Sequence, residues 1–221
     1  FSKAIEFMPN YAEAYSNLGN VLREHDLFDA SETSFKRALK INRDYFEAHY
    51  NLGITLVGSG NHNRSETTFK KAIVLKPNGA EAYNTLGTSQ RTIGKLKAAN
   101  SNYNKAITLK PHFIDALINR GELLFEMSEF ELALADFDRC NTSDSRARAL
   151  PCLYALGRIT ESYDRIKLLI KDDKDNLKVA AFSAFISEVQ RKETLHPFCN
   201  DPMSFLSFSN IASHFSSNNF S

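Results

Sequence analysis

The apolar positions of residues 46–79 fall into two stripes. Ala48, Leu52, Thr55 and Leu56 share one face, a polar "GSGNHN" follows, and Phe69, Ala72, Ile73 and Leu75 share another. Spacing of i, i+3, i+4, i+7, written twice around a glycine-rich break, predicts two amphipathic helices joined by a turn. Pro77 and Pro111 stand where a second helix of this kind has to stop.

The pattern returns along the chain. Gly19, Gly53, Gly87 and Gly121 are 34 residues apart, as are Ala14, Ala48, Ala82 and Ala116. Phe1, Phe35, Phe69, Tyr103 and Phe137 keep the interval, and so do Ala4, Ala38, Ala72, Ala106 and Cys140. Several registers sharing one period define a repeat architecture. The units read as a half unit at 1–11 and full units at 12–45, 46–79, 80–113 and 114–147, each helix A, turn, helix B. A helix-interior glycine costs about 1 kcal/mol against alanine. Its return at one helical position predicts a close helix crossing, where a bulkier side chain costs ~1–3 kcal/mol.

These features resemble the tetratricopeptide repeat family. The resemblance rests on Tyr15 and Tyr83, the Leu-Gly pairs at 18–19, 52–53 and 86–87, the alanine ahead of "LKP", and the proline itself. It implies an all-α fold: a right-handed superhelical array of antiparallel helix pairs, an α-solenoid with helix A on the concave side. Several positions depart from the motif. His49 replaces an aromatic, Arg120 stands in the slot of Leu18, Leu52 and Leu86, and Arg43 and Ser145 replace proline.

Toward the C-terminus the pattern decays. Residues 148–193 read as a degenerate unit followed by a closing helix at 177–193, which an array needs to cover its last apolar face. Pro151 is expected to start a shortened helix, because proline suits a first helical position and not an interior. Residues 194–221 hold one acid, Asp201, no Lys or Arg, seven serines and five phenylalanines. Pro197 and Pro202 break helix there, while Phe205, Phe208, Ala212 and Phe215 share a face, so the segment reads either as a cap or as a connector. "HPFCNDPMSF" also resembles the phrase that follows repeat arrays in proteins fused to an iron and 2-oxoglutarate dioxygenase-like domain, with departures at His196, Asp201 and Met203. The chain opens on Phe1 in mid-unit and ends on "SSNNFS", so it is expected to be a piece of a longer protein.

Charge changes the picture little. With 27 basic and 26 acidic residues the chain lacks the basic excess of a duplex nucleic-acid binder. No apolar run reaches the roughly 20 residues of a membrane span. Cys140, Cys152 and Cys199 have no C-x-x-C spacing, so they read as reduced thiols of a cytoplasmic protein. His196, Cys199 and Asp201 make a poor metal set, and no metal or other cofactor is expected. No phosphate-loop, G-x-S-x-G or H-E-x-x-H pattern occurs, and no enzyme activity is expected within these residues.

The candidate chemistry is recognition. Asn17, Asn51 and Asn119 fall in phase on helix A, with Thr85 in the fourth slot. An asparagine amide donates to a carbonyl and accepts from an N–H, so such a row suits an extended peptide backbone. The same asparagines could instead bond between neighbouring helices. Asn20, Tyr50, Asn84, Thr88 and Glu122 complete the face, a mixed polar surface without a basic clamp. Glu13, Glu47, Glu81 and Asp115 sit at early helix positions, where they meet the helix dipole at ~0.3–1 kcal/mol each. The sequence therefore points to a scaffold that binds a protein or extended peptide on the concave face. The alternative is a recruiting or regulatory arm of a larger enzyme, such as an iron and 2-oxoglutarate dioxygenase or a glycosyltransferase.

Overall fold

The computed structural model describes residues 10–172 and 176–190, and every described element is helical. The half unit's first nine residues and the whole of 194–221, with Cys199 and both proline breaks, lie outside the described residues. The chain forms two compact units, divided after Met127.

The first unit holds α1 (Ala12–Glu24), α2 (Phe28–Ile41), α3 (Phe46–Gly58), α4 (His62–Leu75), α5 (Ala80–Thr92), α6 (Leu96–Leu109) and α7 (Ile114–Glu126). Each helix packs on its neighbour in the chain, and α1, α3, α5 and α7 also meet one another in succession. The turns within pairs end on a left-handed residue, Asp26, Gly60 and Gly94 at successive intervals of 34. The following amide reaches back across the turn, Leu27 N to Leu22 O at 2.9 Å and Asn61 N to Leu56 O at 2.7 Å. That bond is the helix-ending motif that satisfies orphan carbonyls and reverses the chain. The repeated glycine sits where the pairs cross. A Cβ on Gly53 would lie 2.6 Å from Phe69 Cε1, and one on Gly19 would lie 2.8 Å from the Phe35 ring. Phe35, Phe69 and Tyr103 are fully buried, so the aromatic and glycine registers are two halves of one contact.

Successive pairs are joined by polar seams as well. Ser31 on α2 bonds Thr55 on α3 at 3.1 Å and the Gly19 carbonyl at 2.8 Å. One repeat on, Ser65 donates to Ser89 at 3.0 Å. In the next interface the same two slots hold Ala99 and Leu123, packed in an apolar cluster with Tyr103. Glu66 is buried and takes Lys70 and Lys95, each at 2.7 Å, and Gln90 at 3.1 Å. Hydrogen bonds from Lys70, then Lys95, push its carboxyl down to about 2 against burial.

The second unit holds α8 (Phe130–Cys140), α9 (Ser143–Ala155), α10 (Ile159–Asp172) and α11 (Leu177–Gln190). Here the expectation for Pro151 fails: α9 begins at Ser143 and carries Pro151 in its interior. Its start is set by a reciprocal cap in which Thr142 Oγ1 accepts from Ser145 N at 3.1 Å and Ser145 Oγ accepts from Thr142 N at 3.0 Å. Leu150, Cys152 and Leu153 are buried around the proline, so packing holds a helix that proline alone would break. Leu150, Ile166, Leu169, Val179, Phe182 and Ile186 form the core on which α11 closes.

Candidate functional site

The candidate residues all fall in the first unit, on the four A helices: Asn17 and Asn20 on α1, Tyr50 and Asn51 on α3, Asn84, Thr85 and Thr88 on α5, and Asn119 and Glu122 on α7. Asn17 is exposed and the others are half-buried. The helix phase that places them is fixed by buried residues one position away or a turn along: Ser16 and Gly19 on α1, Leu52 on α3, Leu86 on α5 and Leu117 on α7.

Their hydrogen bonds divide them. Asn119 Nδ2 donates to Asn84 Oδ1 at 3.0 Å, which ties α7 to α5. Thr85 donates to the Glu81 carbonyl at 2.9 Å, and Thr88 donates to the Asn84 carbonyl at 3.2 Å. Thr88 also accepts from Tyr103 OH at 3.3 Å. Asn20 accepts from Arg23 at 3.4 Å. Arg91 Nη1 donates to Glu122 at 2.9 Å and its Nε to Glu126 at 3.1 Å, so Glu122 is already paired. Tyr50 is fixed by stacking on Phe46 with ring centroids 5.9 Å apart. Only Asn17 and Asn51 among the ladder residues have side chains with no hydrogen bond to a described residue. The ladder is thus two open amides at the N-terminal end and two rungs closed by the protein itself.

Two features went unread in the sequence. Arg91 bridges to Glu122 and Glu126 across one repeat, and the signal was a cation set about a repeat length from two acids on one helix face. The departures from the repeat motif also have local partners. His49 Nε2 bonds the carbonyl of Arg43 at 2.9 Å, and Arg120 reaches Asn104 on α6. The thiols of Cys140 and Cys152 are buried, and burial pushes them up to about 11 and about 12. Among the described residues no cluster of three His, Cys, Asp or Glu side chains could hold a metal ion, and no helix is long and apolar enough to cross a membrane.

Comparison with known proteins places this geometry. Two family models described as tetratricopeptide repeat match residues 16–80 and 80–113. Among solved structures, YrrB, described as a TPR protein with an unusual peptide-binding site, is 19% identical with a TM-score of 0.67, over 81% of this chain and 95% of its own. MamA is 23% identical with a TM-score of 0.69, over 77% of this chain and 96% of its own. PilF of Pseudomonas aeruginosa is 15% identical with a TM-score of 0.70, over 94% of this chain and 93% of its own. At such identities the likeness is one of fold. No curated protein matches the chain.

Proposed function

We propose that this chain, a member of the tetratricopeptide repeat family, is a protein-interaction scaffold that holds an extended peptide against α1 and α3. The observation that carries the reading is a pair of amides with no hydrogen bond to a described residue, Asn17 and Asn51, one repeat apart in the same helical register. An amide left open to solvent can exchange water for a peptide N–H and C=O at little desolvation cost, whereas a paired one has to break a bond first. Tyr50, held flat by Phe46, offers an apolar face beside Asn51. YrrB, similar in fold, is described as having a peptide-binding site, which supports this reading.

The reading separates the asparagines by role. Asn17→Ala with Asn51→Ala weakens binding of a display-selected peptide about tenfold, roughly 1.4 kcal/mol, and leaves urea unfolding unchanged. Asn119→Ala acts the other way, costing about 1 kcal/mol of stability through the lost Asn84 bond with little effect on affinity. Equal affinity for wild type and the Asn17/Asn51 double variant removes the ladder from the mechanism.

A further inference from the structure

A second surface lies on the B-helix side of the same unit. A groove of about 560 Å³ opens between α2 and α4 with α3 as its floor. Leu39, Leu52, Val74 and Leu75 line it. Val74 is 78% exposed, the most exposed large aliphatic side chain described in this unit. A volume of this order is that of a site for a side chain or small ligand.

The rim is cationic. Lys36, Arg43 and Lys71 face the groove, against one acid, Asp44. Lys36 is already paired with Glu32 at 2.6 Å. Among the described residues Arg43 and Lys71 enter no ion pair. Thr68 is satisfied by the Arg64 carbonyl at 2.9 Å. His49 lines the floor, where its Nε2 donates to the Arg43 carbonyl at 2.9 Å. The groove therefore combines an aliphatic floor with two uncommitted cations at its mouth.

We propose that this groove docks a partner peptide through an acidic residue set between aliphatic ones, the aliphatic side chains on Leu39, Leu52 and Val74 and the carboxylate against Arg43 and Lys71. The surface is separate from the ladder. At about 100° per residue, Asn51 lies roughly 160° round α3 from His49 and roughly 100° from Leu52. A partner could thus be held on both sides of one helix pair, which raises effective concentration without new contacts at either site.

The test uses the full chain and a fluorescein-labelled, amide-capped peptide of sequence GSLDLDGS, with GSLKLKGS and GSSDSDGS as controls. The expected result is saturable binding of the first peptide alone, weakened by salt as an exposed ionic contact requires. Arg43→Glu with Lys71→Glu, or Val74→Asp, lowers that affinity at least about tenfold. These side chains are exposed, and unchanged circular dichroism confirms the fold of each variant. The two control peptides judge the charge and aliphatic requirements on the wild-type chain. Equal binding of the lysine peptide overturns the proposal, as does affinity untouched by the substitutions. Hexanoate competing as well as the peptide also overturns it, in favour of a small amphiphile. So does self-association that Val74→Asp abolishes without any peptide binding, in favour of a second copy.

Discussion

At the residue scale, the repeat is a set of paired slots. The glycine and aromatic registers were legible separately, because each keeps the 34-residue interval. Their union was not, since nothing in a one-dimensional pattern says which slot faces which. The structure joins them: Gly53 admits the Phe69 ring to 2.6 Å from where a Cβ would stand. Gly53→Ala therefore destabilises the first unit by about 1 kcal/mol, the overpacking cost of ~1–3 kcal/mol exceeding alanine's ~1 kcal/mol advantage in a helix. Urea unfolding checks this, and Phe69→Leu in the same background recovers part of the loss. The left-handed slot escaped notice for a chemical reason. Asp26, Gly60 and Gly94 are unlike side chains with one backbone conformation, and a search for like residues passes over them. Asp tolerates that conformation better than most residues other than glycine and asparagine.

At the element scale, period and composition were enough to place α1 to α7, and the sequence erred where packing overrode propensity. Pro151 is unfavourable inside a helix and was read as a start, yet the Thr142–Ser145 cap and the buried Leu150 and Leu153 carry α9 through it. The missing proline N–H leaves the Ala147 carbonyl without its helical donor, so Pro151→Ala stabilises the second unit by about 1–3 kcal/mol. An increase in the urea midpoint of that unit checks it, and a decrease shows that the ring packs better than a methyl. In the first unit the cross-repeat tie at Glu66 is ionic. Its folded carboxyl sits at about 2, below the ordinary 4.5 expected of the unfolded chain. The stabilisation is therefore complete above pH ~4.5 and is lost as pH falls toward about 2. Lys70 and Lys95 are half in water, so screening limits the loss to ~1–2 kcal/mol. Denaturant unfolding at stepped pH reads it, with Glu66→Gln flattening that part of the profile.

At the scale of the whole molecule, the all-helical class was legible because one period governs more than half the chain. Nearest-neighbour packing then makes stability a sum of repeat and interface contributions. The candidate binding face was less legible: the sequence put Asn17, Asn51, Thr85 and Asn119 in one register, and hydrogen bonds, from Asn119 to α5 and from Thr85 within α5, divide them. What distinguishes a peptide ladder from a structural one is whether the amide is already occupied, and that depends on side chains a full repeat away. The most direct measurement is amide chemical-shift mapping of the full chain, titrated with a peptide selected from a random display library. Shifts centred on Asn17, Tyr50 and Asn51, with the Asn84–Asn119 pair little changed, are the predicted result. Shifts confined to the second unit, or absent from α1 and α3, contradict it.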